Sequence, residues 1–207
     1  MGLAGYFSPP RAPRADRLTK ETTPMPPAVT TGENAVEFCP PARILAPAWR
    51  RIPSPVGDLL LLSDGEALSG IYLDGDRYAA EIPAGARPDD GALGEAANQL
   101  AEYFAGERFA FSLSVAPVGT EFQRRVWRAL AAIPYGATCS YGEIAAEIGR
   151  PTASRAVGAA NGRNPISIIV PCHRVIGASG ALTGYGGGLE RKATLLDFER
   201  TTLEARS

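Results

Sequence analysis

The sequence predicts an α+β protein in two units, a small N-terminal α/β unit followed by a mostly helical unit that carries a helix-turn-helix. Three observations predict it. Residues 52–73 hold two apolar runs of strand length around a turn-forming pair, residues 120–162 hold three helical segments with their own start and stop signals, and the charge changes sign between the two regions. Residues 51–119 contain four basic and eleven acidic side chains and residues 120–207 eleven and seven, so the formal net charge of −1 over 207 residues averages an acidic unit and a basic one. A basic unit is the electrostatic footprint of a polyanion-binding surface, although an excess of this size is also common on surfaces that bind nothing.

Residues 1–47 are rich in Pro, Thr and Ala, with Pro-Pro pairs at 9–10, 26–27 and 40–41, and are expected to form a disordered tail. The N-terminal unit, 48–116, begins with SPVGDLLLLSDG and ALSGIYLDG, two strands of a hairpin with Asp64-Gly65 at its turn. Leu93, Ala97, Leu100 and Phe104 then recur at helical spacing up to a stop at Gly106, Phe109 to Val115 reads as a further strand, and residues 116–119 read as a linker. The C-terminal unit, 117–207, opens with a capping box of Thr120 and Gln123 ahead of Phe122, Val126, Leu130 and Ile133, and Pro134-Tyr135-Gly136 ends that helix. Ser140 and Glu143 make a second capping box for a short helix that carries Ile144 and Ile148 on one face and ends at Gly149, and Thr152 is expected to cap a third that runs to Gly162. Two short helices joined through a glycine read as a helix-turn-helix, and equally as a plain pair of packed helices. The third helix has small residues, Ala153, Ala156, Val157, Gly158, Ala159 and Ala160, with Arg155 its one long side chain; such a helix can approach a nucleic-acid groove closely, and it also suits tight packing. Ile166 to Val170 reads as a buried strand ended by Pro171, and Leu189 to Arg200 as the last helix.

Composition removes several classes of function. Hydrophobic residues at 45% and charged residues at 21% suit a globular core. No apolar run approaches the roughly 20 residues that span a bilayer, and the first thirty residues lack the apolar segment of a secretory signal, so a cytoplasmic protein away from membranes is expected. The three cysteines, Cys39, Cys139 and Cys172, form no CxxC pair, and His173 is the only histidine, so neither a disulfide framework nor a metal site is expected.

What remains is the adjacency of Cys172 and His173. A cysteine leaving the end of a buried strand is well placed to present a nucleophile, yet most buried cysteines are inert. A thiol of ordinary pKa, about 8.5, is only a few per cent thiolate at neutral pH and needs a base or a cation, and His173 and Arg174 are at hand. Neighbouring side chains of an extended backbone point to opposite sides, so a water is the expected link between thiol and imidazole. A histidine base also needs an orienting acceptor. Glu199, at i+4 from Leu195 and i+3 from Leu196, lies within the apolar arc of the last helix and can supply one; read as the solvated fringe of that face, it needs no partner.

Taken together, VPCHRVIG, the Asn164-Pro165 pair before it, SRAVG and SYGEIA upstream and TGYGGGLERK downstream resemble the methylated-DNA–protein-cysteine methyltransferases, which repair O6-alkylguanine in DNA. The likeness covers about residues 51–200 and includes SPVGDLLLL. It implies a ribonuclease H-like N-terminal fold and a winged-helix-like C-terminal one. It implies that Cys172 accepts the alkyl group, that water, His173 and Glu199 form its proton relay, and that Tyr141 helps rotate the nucleotide and donates to the departing guanine. Arg155 would fill the gap left by the flipped base, with Thr152, Ser154, Ala156 and Arg163 along the same DNA-facing surface, while Val175, Tyr185 and the backbone at Gly186 frame the base and Asn164 braces the turn before the cysteine. The implied partner is double-stranded DNA containing O6-alkylguanine, bound through its minor groove by a monomer that needs no cofactor and acts once. The chain departs from the pattern in lacking histidines and cysteines for the structural zinc of some relatives, in Gly186 where some carry Ser, and in Arg163 where Gly is frequent. On the residues alone two other readings stay open: a winged-helix DNA-binding regulator or alkylation sensor without repair activity, and a thiol hydrolase using Cys, His and Glu.

Overall fold

The computed structural model describes residues 34–40 and 47–206. Among them six strands form one sheet in the order β1-β6-β4-β3-β2-β5, with β1 Glu37–Phe38, β2 Ala48–Ile52, β3 Leu59–Ser63, β4 Leu68–Leu73, β5 Arg87–Pro88 and β6 Ser114–Val115. β2, β3 and β4 are an antiparallel meander, and the short strands join its edges in parallel. The run Leu59-Leu60-Leu61-Leu62 does not alternate because β3 is covered on both faces: Leu59 and Leu61 enter the main core, while Leu60 and Leu62 pack with Tyr72 and Trp49 on the other side. Helix α1, Gly94–Phe104, buries Ala97, Leu100 and Tyr103 against the sheet and ends at Gly106, whose φ of +72° lets the chain turn out of the helix.

Two expectations for this unit are corrected. Residues 34–40 of the expected disordered tail are ordered, since Glu37–Phe38 pairs with Ser114–Val115; the rest of that tail, 1–33 and 41–46, lies outside the described residues. Of Phe109 to Val115 only the last two residues form a strand. The amides of Phe111 and Ser112 are taken by the side chains of Asn34 and Gln99, at 2.7 and 2.9 Å, so of the backbone only the Phe111 and Leu113 carbonyls pair with residues 35 and 37, and no full strand forms although Phe111 is buried.

The C-terminal unit contains α2 Glu121–Ala131, α3 Tyr141–Glu147, α4 Ser154–Gly162 and α5 Leu189–Glu204, with a two-stranded parallel ladder between β7 Cys139–Ser140 and β8 Val175–Ile176. Both capping boxes close in both directions. Helices α3 and α4 pack on each other and on α2, and the Trp127 indole donates to the Ala160 carbonyl at 2.9 Å, tying α2 to α4. Thr152 does not cap α4: the Ala153 amide bonds Arg150 O at 2.8 Å, which turns Thr152 outward, and no side chain caps the helix.

Ile166 to Val170 is a buried turn, not a strand. The Val170 amide returns to Ile166 O at 3.0 Å and Ile168 takes a φ of +73°, a costly conformation for a β-branched residue that its surroundings enforce. The turn docks on β4 through Ile71 N to Pro165 O at 2.8 Å and Ser167 N to Ile71 O at 3.3 Å. Its β-branched content therefore reflects complete burial between the two units, whose apolar side chains form one continuous core. No helix among the described residues is long and apolar enough to cross a membrane.

Candidate active site

Cys172 begins a single 3-10 turn, Cys172–Arg174, directly after the buried turn, and is 3% exposed. Asn164 shapes this approach. Its carboxamide oxygen accepts from Ile166 N at 3.0 Å, and its Nδ2 donates to Val170 O at 2.7 Å and to Cys172 Sγ at 3.1 Å. One side chain thus folds the turn and bonds the sulfur it presents. Asn161 of α4 donates to Cys172 O at 3.3 Å and Gly184 O at 3.0 Å, so this helix holds the backbone of the thiol.

The 3-10 turn replaces the extended backbone expected at Cys172 and His173, and it sends His173 into the core beside α5. His173 is completely buried, and its Nε2 lies 2.9 Å from Glu199 Oε1. Since Glu199 is an acceptor, Nε2 carries the proton and Nδ1, which bonds no group among the described residues, is the basic end. Burial pushes the His173 pKa below the ordinary histidine value despite Glu199, so the imidazole is neutral at neutral pH. Glu199 is also fully buried and therefore not a solvated fringe. Burial alone would raise its pKa, but His173 and Arg174 outweigh it and hold the carboxyl well below the usual range. Arg174, expected from the sequence as a charge near the thiol, is instead committed to Glu199, with its Nε 2.9 Å from Oε2 and Nη2 2.9 Å from Oε1, while Nη1 donates to Ile133 O.

The cation that does act on the sulfur is Lys192, which was not singled out from the sequence. Its side chain is buried, Nζ donates to Val175 O and Thr183 O, and it lies 5.9 Å from the centre of the Tyr141 ring. Burial lowers its pKa to about 8, which still leaves it charged at neutral pH. The Cys172 thiol is pushed up to about 11 by burial, against the lowering effect of the Asn164 hydrogen bond and the Lys192 charge. In the closed protein the thiol is protonated.

The Tyr141 hydroxyl donates to Thr183 O at 2.7 Å, so residues 183–184 cover it, and Gly184, at φ +64°, passes where any β-carbon would lie 2.5 Å from that hydroxyl. Val175 is buried in β8 and Tyr185 is half-buried. A β-carbon on Gly186 would lie 2.8 Å from Asp76 Oδ1 and 3.2 Å from Gly162 O, which accounts for glycine there. Thr152, Ser154, Arg155 and Ala156 are exposed around the start of α4, and Arg163 is exposed just beyond its end.

An α/β sheet fused to a helix-turn-helix, with one buried thiol behind the second helix and a histidine–glutamate pair beside it, defines the class as DNA-binding proteins built around a single reactive-type cysteine. The sequence profile described as "6-O-methylguanine DNA methyltransferase, DNA binding domain" matches residues 121–201, and that of the ribonuclease-like domain of the same proteins matches residues 48–117. The chain is 55% identical over 151 residues to the methylated-DNA–protein-cysteine methyltransferase of Mycobacterium leprae, covering 73% of this chain and 91% of that protein, and 53% identical over 146 residues to that of Methanosarcina acetivorans, covering 70% and 94%. Its fold is similar to the crystal structure of Mycobacterium tuberculosis OGT in complex with DNA, with a TM-score of 0.72 at 53% identity over 75% of this chain and 94% of that one. The chain belongs to the methylated-DNA–protein-cysteine methyltransferase family.

Proposed function

We propose that this protein repairs O6-alkylguanine, chiefly O6-methylguanine, in double-stranded DNA by moving the alkyl group to its own Cys172. The observation that carries the assignment of residues is that two neighbours in the chain at the foot of α4 carry a sulfur bonded by Asn164 and a neutral imidazole oriented by Glu199. Arg155 enters the base stack from the minor groove as the guanine flips out, since a stacked O6 is closed to in-line attack from a protein pocket. Residues 183–186 must open for the base to reach a thiol that is 3% exposed, and Val175, Tyr185 and the Gly186 backbone then frame it. His173 Nδ1 takes the Cys172 proton through a bridging water, and the Lys192 cation and the Asn164 amide stabilise the thiolate. The thiolate attacks the alkyl carbon as the carbon–O6 bond breaks, and the electron pair passes to guanine. Tyr141, released from Thr183 O, donates to the departing base and recovers a proton through water from the His173 imidazolium, so the guanine gains the proton that Cys172 lost and both side chains end neutral. The thioether has no easy return, so the protein acts once, as a monomer without cofactor in the cytoplasm.

The test is methyl transfer from a duplex oligonucleotide containing O6-methylguanine, followed by mass spectrometry of the protein. At most one methyl per chain is expected, located on Cys172 and absent from Cys172→Ala. Turnover beyond one equivalent, or transfer by Cys172→Ala, would overturn the reading. Binding without transfer would mark a regulator, and indifference to the oligonucleotide a thiol hydrolase.

A further inference from the structure

The ribonuclease-like unit reaches the relay through one side chain. Tyr103, at the end of α1, is completely buried, and its hydroxyl donates to Glu199 Oε1 at 2.8 Å. The same oxygen meets His173 Nε2 at 2.9 Å and Arg174 Nη2 at 2.9 Å. Glu199 does not need Tyr103 to stay in place, because Arg174 grips both of its oxygens and the Gly136 amide, in the turn after α2, donates to Oε2 at 3.0 Å. What the hydroxyl adds is a share of the charge on Oε1. The other charged or titratable groups around the pair are otherwise engaged: the Lys192 ammonium on α5 bonds Val175 O and Thr183 O, the Tyr135 ring lies 5.5 Å from the Arg174 guanidinium, and Cys172 is bonded by Asn164.

We propose that Tyr103 is a positioning residue for the transfer reaction: by donating to Glu199 Oε1 it draws charge from the carboxylate that orients His173, and so limits the proton affinity of the imidazole that receives the Cys172 proton. The proposal rests on the transfer reading above. Burial and the neighbouring Glu199 charge keep the Tyr103 hydroxyl protonated, its pKa pushed well above the tyrosine value. Without that hydroxyl, Oε1 has one donor fewer, its bond to the His173 N–H strengthens, and the imidazolium is favoured. The thiolate–imidazolium pair then forms at lower pH.

Tyr103→Phe tests this because it keeps the ring contacts with Phe104, Phe111, Tyr135 and Phe198. Phe104→Leu is the packing control, since Phe104 stands edge-on to Tyr103 and its other ring contact is with Phe198. Single-turnover methyl transfer from duplex DNA and iodoacetamide labelling of Cys172 are each followed against pH. For Tyr103→Phe both midpoints are expected to fall by about half a unit, which is roughly threefold faster reaction at a pH below the midpoint. Phe104→Leu is expected to lower the melting temperature and leave both midpoints in place. An unmoved or raised midpoint in Tyr103→Phe, or an equal shift in Phe104→Leu, overturns the proposal. No methyl transfer by the unmodified protein, with the labelling midpoint still shifted by Tyr103→Phe, overturns the transfer reading and leaves the role of Tyr103 in setting the relay standing.

Discussion

Glu199 takes hydrogen bonds from Tyr103, Gly136, His173 and Arg174, and those partners decide how the protein responds to mutation and to acid. Arg174 is its permanent counter-ion, and removing one partner of a buried pair strands the other charge. Arg174→Met, which keeps the apolar bulk, is therefore expected to cost about 3–5 kcal/mol, read from the denaturant midpoint. A loss below about 1 kcal/mol, the range of surface pairs, would show that Glu199 finds solvent. Acid acts in two windows. The folded protein holds His173 below its ordinary pKa of 6.5, so the unfolded chain takes that proton first and stability falls as pH drops below 6.5. Glu199 is held below its ordinary 4.5, so the stability it contributes is present above pH 4.5 and is lost below it. Thermal melts at pH 7 and pH 5 should show the first loss, and His173→Gln should diminish it because the chain has no other histidine. An equal loss in the variant would assign it elsewhere. Cys172, His173 and the acidic partner Glu199 were legible in the sequence because nucleophile chemistry restricts residue types and helical spacing restricts positions. Tyr103 and Lys192 were not, since nothing local marks a tyrosine 96 residues from its carboxylate or a lysine whose ammonium turns inward.

At the scale of elements, α4 joins the surface proposed above to face DNA to the thiol. Its exposed start carries Arg155, its middle is held by Trp127 through Ala160 O, and its end contributes Asn161 to the Cys172 carbonyl. Extruding a base costs a few kcal/mol, and a side chain that fills the gap offsets part of it. Arg155→Ala is accordingly expected to slow transfer from duplex DNA about tenfold or more, while transfer from the free alkylated base stays within about twofold, because no stack has to be opened there. Equal losses on both substrates, measured by the same mass assay, would remove Arg155 from the flipping step. The helices were the readable elements: capping boxes and glycine stops are local chemistry, and both boxes at Thr120 and Ser140 close as their sequences require. The segment Ile166 to Val170 misled because β-branched residues mark burial as much as strand. What decides its shape is Asn164, whose side chain satisfies the turn from within, and the docking of Pro165 and Ser167 on Ile71. That docking pairs residues about 95 apart, beyond any local period.

Among the described residues the two units pack as one body because the segment that leads to Cys172 is shared between them. The buried turn hangs from β4 by backbone hydrogen bonds, Tyr103 of α1 ends on Glu199 of α5, Arg191 of α5 donates to Val56 O at 3.0 Å, and one apolar cluster runs from Leu59 to Leu195. Ile166, Ile168 and Ile169 are completely buried, so separating the units would expose them together with the facing sheet residues. Each such side chain stabilises the joined state by about 1.5–3 kcal/mol, comparable in sum to the whole stability of a small protein. The two units should therefore unfold together, even though they match separate family profiles. The chain supplies its own reporters, since its two tryptophans lie one in each unit: Trp49 on β2 and Trp127 on α2. In Trp127→Phe the fluorescence follows the sheet, and in Trp49→Phe it follows the helical unit. Far-ultraviolet circular dichroism reports mainly the helices in both. Within each variant the fluorescence and dichroism transitions in urea are expected to coincide, and this comparison is unaffected by the stability that either substitution removes. If Trp49 fluorescence changed at a urea concentration where the helical signal persisted, the sheet would be a separate folding unit. The reactive turn would then keep its shape without β4, contrary to the hydrogen bonds that Ile71 makes to it.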